Sequence, residues 1–392
     1  MKKIYILLSI FFLSVNAVCQ VSWTKNPDPV LTVGSEGSWD QNFVGMPCVL
    51  FVNDTSRMWY SGSNGATPAI GYATSTDGGI TWTKYEQNPV LNVGPAGSWE
   101  EKGVYYSTVL FHESTYHMWY QGFNINIVEK SGYATSPDGV HWTKYQNNPI
   151  NLGAGGVLFR DNLFQMWYSY YTGEIFKIGK GTSENGINWS EYEGNPVMNP
   201  GPAGSWDRPR VQAPSVIYDG QKFHLWYSGG DFYSWQLGYA SSLDGISWTR
   251  YEGNPVLPKG SAGSWDDKFT FYPSVIFDDA NSLFKMWYYG GQEMFGGEIG
   301  YAEAPLITGI NSIPSDIKFS IYPNPVDGPL TVEMESQGKN IIEITTLNGQ
   351  VILSKEMEGT THQIDLSSFR KGVYFITIRS EEFVTTRKII KL

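Results

Sequence analysis

Cysteine is rare in this sequence. Its 392 residues include two cysteines, Cys19 and Cys48. Cys19 lies at the end of an N-terminal leader, so the mature chain would keep only Cys48 and could form no intramolecular disulfide. Stability must then come from the core. Cys48 follows Pro47 in an apolar stretch, which is more typical of a buried small side chain than of a reactive thiol.

Positive charge and long apolar runs are also in short supply. The chain has 27 Lys and Arg against 38 Asp and Glu, a net charge of −11. Nucleic-acid backbones are bound by basic surfaces that displace counterions, so this balance predicts no nucleic-acid partner. Beyond the N-terminus, no run reaches the roughly 18 apolar residues needed to span a bilayer.

Histidine is rare and dispersed. The five histidines have no metal-ligand spacing, and His224 shares a strand face with Trp226, which favours a packed ring. There is no Gly-x-Ser-x-Gly elbow and no phosphate-binding glycine loop before a helix. The sequence therefore predicts no metal and no cofactor, with a structural cation on the axis left open.

The N-terminus has the pattern of a secretory signal peptide, residues 1–19. Lys2 and Lys3 form the charged region, Ile4 to Val15 the apolar one, and Ala17 and Cys19 the small residues before a cleavage site. Cleavage before Gln20 is favoured. A lipoprotein anchored through Cys19 is the alternative, although Val18 matches that pattern poorly.

Aromatic residues and glycine are abundant, at 15% and 43 copies, and they are arranged in a repeat. The repeated strand centres on Trp59, Trp119, Trp167, Trp226 and Trp287, which are 60, 48, 59 and 61 residues apart. Such a period fixes the architecture before any local motif does. Each of the first four copies contains four runs that are rich in β-branched or aromatic residues and are bounded by Gly, Asp, Asn or Pro. The repeat predicts an all-β, five-bladed β-propeller.

A Ser-x-Asp-Gly-x-x-Trp turn recurs at Ser136, Ser183 and Ser242, with Asn185 replacing Asp in the second of these copies, and the copy at Ser75 has one more residue before its Trp. It resembles the Asp box of sialidase-type propellers. Asp or Asn can accept backbone N–H bonds while Gly adopts positive φ, so we interpret these acids as structural.

The fifth repeat ends near Pro305 without its turn and fourth strand. The N-terminal run VSWTKNPDPVL matches ITWTKYEQNPVL at Ile80. We therefore expect the N-terminal strand to close the last blade, which leaves no open sheet edge there.

Composition changes near Thr308, where alternating strand patterns and the hairpin signal Asn348-Gly349 begin. The expected domains are a propeller at 20–307, a linker at 308–316 and a small β-sandwich at 317–392. The tail resembles the C-terminal sorting domain of the Bacteroidetes type IX secretion system. The matching motifs are Tyr322-Pro-Asn-Pro325, Leu347-Asn-Gly349, Leu366, Gly372-Val-Tyr374 and Lys388-Ile-Ile-Lys-Leu392. The resemblance implies export to the cell surface or medium and a partner in that secretion machinery. A carbohydrate-binding or immunoglobulin-like module is the alternative.

Antiparallel strand order places the loop before each first strand and the loop between strands two and three on one face. A Gly-Ser-Trp-acid segment precedes the first strand in four repeats, with Asp40, Glu100, Asp207 and Asp266 as the acids. A group present in every such repeat is more typical of bracing than of unique chemistry. Arg208, Arg210, Tyr105 and Tyr106 break the pattern and are better functional candidates. The third repeat lacks the segment, which predicts a notch in the rim; a simple degenerate repeat is the alternative.

The loops between strands two and three carry carboxylates among aromatic rings. The acids are Glu129, Glu174, Asp231, Glu293 and Glu298; the rings include Tyr171, Phe232 and Trp235. Aromatic rings stack on sugars, and carboxylates bind hydroxyls or transfer protons. This face therefore favours a carbohydrate ligand.

The Trp-Tyr-Ser-Gly, Gly-Tyr-Ala-Ser and Asp-Gly-x-x-Trp elements, over Val21 to Pro305, resemble the five-bladed glycoside hydrolases that include arabinanases, xylosidases, levansucrases and invertases. The resemblance implies three carboxylates on different blades, with the base directly before a Pro on an inner strand. The corresponding residues are Met46, Ala213 and Tyr272, and the second repeat has Tyr106-Ser107. None of them is acidic.

The sequence favours a secreted, monomeric propeller that binds a poly- or oligosaccharide and hydrolyses its glycosidic bonds. The alternatives are a propeller that only binds glycans and a surface platform for proteins. For hydrolysis, the candidates are Asp40 or Asp266 as base, Glu174, Asp231 or Glu293 as acid, and Arg210 to orient or tune one of them. The substrate-binding candidates are Tyr105, Tyr106, Arg208, Tyr171, Phe232 and Trp235.

Overall fold

The computed structural model describes most of the chain beyond the leader. The described ranges are 23–171, 173, 175–231, 233–278, 281–293, 296–305, 319–334, 339–346, 351–379 and 384–392. Every regular element in these ranges is a β-strand. The predicted signal peptide and linker lie outside them. The described residues fall into two compact units, 23–305 and 319–392.

The repeats form antiparallel units of four strands, which we number 1 to 5 along the chain. β1 (Thr24–Lys25) comes first. Unit 1 contains β2 (Phe43–Val52), β3 (Thr55–Ser63), β4 (Ala69–Ser75) and β5 (Thr83–Lys84); unit 2 contains β6 (Gly103–His112), β7 (Thr115–Phe123), β8 (Glu129–Ser136) and β9 (Thr143–Lys144); unit 3 contains β10 (Gly155–Arg160), β11 (Leu163–Tyr171), β12 (Phe176–Ser183) and β13 (Ser190–Glu191); unit 4 contains β14 (Arg210–Tyr218), β15 (Phe223–Gly230), β16 (Trp235–Ser242) and β17 (Thr249–Arg250); unit 5 contains β18 (Phe269–Asp278), β19 (Leu283–Gly291) and β20 (Glu298–Pro305). One parallel bridge, Trp235 to Phe269, joins units 4 and 5 into a continuous sheet.

The N-terminal strand supplies the fourth strand of unit 5, as its sequence predicts. In β1, Thr24 pairs with Glu303 and Lys25 with Ala302. On the other side, unit 5 contacts unit 1, because the Trp287 indole donates to the Gly79 carbonyl at 2.8 Å. The Val49 amide also donates to Ser274 Oγ at 2.9 Å. The first and last units are therefore neighbours.

The anchor tryptophans form the core between neighbouring units. All five are fully buried. Each meets a second tryptophan nearly edge-on at centroid distances of 5.9–6.3 Å, in the pairs Trp59–Trp142, Trp119–Trp189, Trp167–Trp248, Trp226–Trp23 and Trp287–Trp82. Edge-to-face packing is a favoured arrangement of aromatic rings. Trp23 thus occupies in unit 5 the place that the turn tryptophan has elsewhere.

The Ser-x-Asp-Gly turns are self-contained hydrogen-bond networks. Asp77 accepts from Ser75 Oγ at 2.7 Å and from the backbone amides of Ile80 and Thr81 at 3.1 Å. These bonds hold the pKa of Asp77 well below its usual range. Gly78 has a φ of 83°, which glycine tolerates without strain. The arrangement explains the residue types of the turn without a catalytic role.

The C-terminal unit is a two-sheet sandwich. Its strands are β21 (Phe319–Tyr322), β22 (Pro329–Met334), β23 (Lys339–Thr346), β24 (Val351–Glu358), β25 (Thr361–Asp365), β26 (Gly372–Arg379) and β27 (Val384–Lys391). The sheet orders are β21-β22-β25 and β24-β23-β26-β27. Aliphatic side chains from both sheets, such as Val332, Ile344 and Ile376, form one buried core. The hairpin residues Asn348-Gly349 lie outside the described ranges.

Candidate functional site

The start of each first strand and the end of each second strand lie at one edge of the sheets, which we call the mouth edge. Four register pairs define it: Phe43–Ser63, Gly103–Phe123, Arg210–Gly230 and Phe269–Gly291. The Ser-x-Asp-Gly turns lie at the opposite edge, since they join strands three and four. The candidate loops therefore belong to one edge.

Residues from all five units meet in a central aromatic cluster. Its buried members are Phe43, Met46, Tyr106, Ala154, Ala213, Trp235, Phe269, Phe271 and Tyr289, with Tyr105 and Tyr272 packed against them. Trp235 stacks on Phe271 at 4.4 Å, and Tyr106 meets Tyr272 at 4.9 Å. Burial raises the pKa of both tyrosines, so their hydroxyls stay neutral donors.

The positions directly before Pro47, Ser107, Pro214 and Pro273 share a strained backbone. Met46, Tyr106, Ala213 and Tyr272 have φ between 43° and 52°. Each lies at a β-bulge in its first strand. Three of their amides are held by a serine of the preceding unit: Tyr106 by Ser61, Ala213 by Ser169 and Tyr272 by Ser228, at 2.9–3.0 Å. Positive φ in non-glycine residues is often found at functional sites, and here it aims apolar or phenolic side chains into the central cluster.

Tyr105 and Glu129 are brought together at the mouth edge of unit 2. The Tyr105 hydroxyl donates to Glu129 Oε1 at 2.5 Å. Burial raises the pKa of Tyr105 well above its usual range, and the neighbouring carboxylate adds to the effect. Glu129 is exposed, whereas the Tyr105 ring packs against Phe123. The pair can offer a ligand both a ring and a carboxylate.

The acids of the Gly-Ser-Trp-acid segments are buried braces. Asp40 pairs with Lys84 at 2.7 Å, and Asp266 pairs with Lys25 at 2.6 Å. Each also accepts a tyrosine hydroxyl of its own unit at 3.1 Å. Glu100 and Asp207 make matching ion pairs with Lys144 and Arg250. This arrangement favours the bracing interpretation; the role of Asp40 or Asp266 as a base stays a prediction.

The loop carboxylates proposed as acids do not converge with Asp40 or Asp266 through any contact in the described residues. Asp231 is exposed and accepts the amides of Tyr233 and Ser234 at 2.8 and 2.9 Å, which closes its own turn. Glu293 is exposed, and its carbonyl accepts the Tyr289 hydroxyl at 2.5 Å. Glu174 lies outside the described residues. Their roles as acids stay predictions.

The two arginine candidates differ in setting. Arg208 is exposed and donates to the Gly201 carbonyl at 3.3 Å. Arg210 is half-buried, and its guanidinium lies 5.7 Å from the centre of the Phe176 ring. Burial lowers the pKa of Arg210. Arg210 is thus held over an aromatic ring at the mouth edge.

Among the aromatic candidates, Tyr171 is 58% exposed, while Trp235 is 1% and Tyr106 is 9% exposed. Trp235 is therefore buried and forms part of the central cluster, and its role in substrate binding stays a prediction. The Nε1 of Trp235 has no hydrogen-bond partner within the described part of the chain. Phe232 lies outside the described residues. The sequence missed the central cluster because its members come from distant repeats.

The described residues contain no group of three or more His, Cys, Asp or Glu side chains that could hold a metal ion. His224 is buried between Asp219 and Tyr239, at 2.8 Å from each. It is a packed histidine, as its strand position predicts. No helix in the ranges that the structure describes could span a membrane.

Residues 320–392 match the family model of the secretion system C-terminal sorting domain. This segment is a type IX sorting domain. The protein is therefore delivered to the cell surface or the extracellular space. The sandwich predicted from the tail motifs agrees with this match.

The chain is also similar in sequence to two curated proteins whose names state no activity. Two uncharacterised proteins from strains of Mycobacterium tuberculosis are 28% identical over 226 residues, which cover 52% of this chain and 73% of each relative.

The repeat region has the all-β, propeller-like fold of glycoside hydrolase structures. A glycosyl hydrolase from Bacteroides ovatus superposes with a TM-score of 0.58 at 18% identity, covering 73% of this chain and 93% of that structure. A structure described as showing glycoside hydrolases of the GH130 family that target β-1,2-mannosidic linkages in Candida mannan has a TM-score of 0.58 at 18% identity, covering 74% and 95%. A thermostable family-43 glycoside hydrolase has a TM-score of 0.55 at 14% identity, covering 78% and 96%. At these identities the similarity concerns the fold.

Proposed function

We propose that the protein is a secreted, surface-displayed β-propeller that binds a poly- or oligosaccharide at the mouth edge without cleaving it. The observation that carries this proposal is the central cluster. Met46, Tyr106, Ala213 and Tyr272 lie in or against this cluster. They occupy the first-strand position at which the resemblance to five-bladed glycoside hydrolases implies a catalytic base, and none of them is acidic. Sugar binding needs rings and hydrogen-bonding groups, which Tyr105, Glu129 and Tyr171 supply.

The architecture on which this function rests is also part of the proposal. Units 1 to 5 are the five blades of a closed ring, and the Ser-x-Asp-Gly turns are Asp boxes. The propeller spans 20–307, a linker 308–316 and the sorting sandwich 317–392, after a signal peptide at 1–19. The mature protein acts as a monomer and needs no cofactor or metal.

Hydrolysis by paired carboxylates is the competing function. It requires two carboxyl groups about 5–9.5 Å apart that flank the scissile bond. Asp40 and Asp266 are already engaged with lysine and tyrosine inside their own units. This engagement supports binding over cleavage.

The test is a glycan array probed with the full mature chain, followed by a reducing-sugar assay on every ligand that binds. We expect binding without sugar release. A Tyr171→Ala variant should weaken binding, whereas Phe51→Ala should not. The two rings are matched in exposure, at 58% and 59%, but Phe51 lies near the β2–β3 turn at the opposite edge. Released sugar would overturn the non-catalytic proposal, and the absence of any glycan ligand would overturn carbohydrate binding.

A further inference from the structure

The loop between β7 and β8 of unit 2 exposes three aliphatic side chains at the mouth edge. Ile125, Ile127 and Val128 are 66%, 75% and 47% exposed. Among the residues that the structure describes, no other loop of this edge exposes a large aliphatic side chain. Adjacent apolar side chains in water are unfavourable, so this group is suited to an apolar contact.

The backbone of this loop disfavours the isoleucine that it carries. Ile127 has a φ of 56°, and of the described non-glycine residues with positive φ it is the single β-branched one. Branching at Cβ makes this conformation strained, whereas Gly, Asn or Asp adopt it more readily. The sequence thus keeps an apolar side chain where backbone conformation and solvent exposure both oppose it. Such a residue indicates a functional contact.

Hydrogen bonds hold the loop in this shape. The Asn124 carbonyl accepts from the Ile127 amide at 2.9 Å, and Asn124 Oδ1 accepts from the Asn126 amide at 3.0 Å. The Ile125 amide donates to Glu101 Oε1 at 3.3 Å, which fastens the loop to the segment before β6. A surface that is ordered before binding loses less conformational entropy when a ligand arrives.

The aliphatic side chains adjoin the Tyr105–Glu129 pair. Val128 is followed by Glu129, the first residue of β8. The Glu129 carboxylate accepts the Tyr105 hydroxyl at 2.5 Å. Glu129 is nevertheless exposed, and a carboxylate can accept several hydrogen bonds. The surface therefore offers an apolar contact beside a hydrogen-bond acceptor.

The size and charge of this surface favour a small, neutral ligand. A stable protein interface takes about 20–30 residues on each side, far more than one loop provides. The charged residues around the loop are two acids and two bases, Glu101, Glu129, Lys102 and Lys130. Their charges balance, so the surface attracts neither anionic lipids nor an acidic polymer.

From these observations we propose that the 124–128 loop and the Tyr105–Glu129 pair form a subsite for a neutral sugar that carries a methyl group, either in an O-acetyl ester or as a 6-deoxy carbon. The methyl group packs on Ile125 and Ile127, and a hydroxyl of the same sugar donates to Glu129. This inference rests on the proposed glycan binding and names the ligand class of the same edge.

The test compares glycans with and without the methyl group on one array, probed with the full mature chain. Each acetylated polysaccharide is printed before and after mild saponification, and each oligosaccharide with a 6-deoxy sugar beside its 6-hydroxy counterpart. We expect the wild type to prefer the methyl-bearing form in at least one of the two sets by about tenfold, which corresponds to about 1.4 kcal/mol. The set that shows the preference identifies the source of the methyl group.

Ile127→Asn should abolish this preference without lowering the melting temperature, because Asn adopts positive φ with less strain. Ile127→Leu should keep most of the preference, since leucine retains the apolar surface. Ile125→Ser is a second variant away from the strained position and should also weaken the preference. The matched control is Leu243→Asn, which should leave it intact: Leu243 is 82% exposed but follows β16 in the turn at the opposite edge.

Equal binding of both forms by the wild type would overturn the subsite while glycan binding stands. A preference that survives in Ile127→Asn, or in Ile125→Ser should the first variant fail to fold, would also overturn it. Loss of the preference in Leu243→Asn would do the same. Binding to no glycan would overturn both proposals.

Discussion

The Tyr168 hydroxyl donates to Glu191 Oε2 at 2.6 Å. In the other units the tyrosine at this strand position donates to the acid of the Gly-Ser-Trp-acid segment, and the fourth strand contributes Lys or Arg. Unit 3 lacks this segment. Its fourth strand carries the acid Glu191, whereas the fourth strands of the other units carry a Lys or Arg that pairs with the segment acid. In each unit, the hydroxyl of this buried tyrosine thus donates a hydrogen bond to one carboxylate. This exchange is the strongest reason to interpret Asp40 and Asp266 as braces.

A Glu191→Lys variant should be less stable than the wild type. It removes the acceptor of the Tyr168 hydroxyl and places a cation beside a nearly buried phenol. We expect a loss of about 1 kcal/mol in the free energy of unfolding, measured by urea denaturation. In the Tyr168→Phe background the same substitution should cost much less, because no hydroxyl is left without its acceptor. Equal costs in both backgrounds would show that the two residues are not coupled.

Asp40→Asn should lower stability and leave glycan binding unchanged. The substitution removes the charge that pairs with Lys84, at an expected cost of about 1–2 kcal/mol. Thermal unfolding and array binding are measured on the same preparation. Asp266→Asn should behave in the same way, since its contacts are equivalent. Loss of function with unchanged stability would restore a catalytic or binding role to Asp40.

Trp23→Ala should destabilise the propeller about as much as Trp82→Ala does. Both rings are half-buried and pack edge-on against an anchor tryptophan, Trp226 or Trp287. We expect a cost of about 2 kcal/mol for each, less than the value for a fully buried tryptophan. Urea unfolding of the two variants supplies the comparison. A neutral Trp23→Ala beside a destabilising Trp82→Ala would argue against closure by the N-terminal strand.

The lowered pKa of Asp219 predicts that its contribution to the stability of the fold is lost in acid. Burial alone would raise its pKa, but the His224 imidazole and the amides of Lys222 and Gln221 outweigh burial and lower it to about 2. A depressed pKa stabilises the fold above the unfolded value of about 4, and this contribution is lost as the pH falls towards 2. The stability difference between wild type and Asp219→Asn should therefore shrink between about pH 4 and 2. A difference that is constant over this range would contradict the assignment.

Asn324→Ala should reduce export. Asn324 donates to the Lys388 carbonyl at 2.7 Å and accepts from the Ile390 amide at 2.9 Å, which ties the last strand to the Tyr-Pro-Asn-Pro motif. Without these bonds the final residues should separate from the sandwich more often, and more protein should be retained in the periplasm. Cell fractionation gives the measurement, and Asn147→Ala, an exposed asparagine of the repeat region, is the control. Normal surface delivery of Asn324→Ala would contradict the prediction.

The sequence by itself determined the all-β class, the repeat, the pairing of the N-terminal strand with the last unit and the sorting tail. These features depend on local patterns: strand alternation, turn residues and the spacing of Trp59, Trp119 and their equivalents. The sequence also indicated that Asp40 and Asp266 brace their loops, because an acid occupies the same position of the Gly-Ser-Trp-acid segment in four repeats.

Only the tertiary structure decided which side chains meet. Met46, Tyr106, Ala213 and Tyr272 lie far apart in the chain, and their bulges turn them into one cluster. The burial of Trp235, the contact between Tyr105 and Glu129 and the position of Arg210 over the Phe176 ring likewise depend on side-chain direction. The alternation of residues along a strand indicates which face of the sheet a side chain lies on. The packing of neighbouring units determines how deeply that side chain is buried and which residues it contacts.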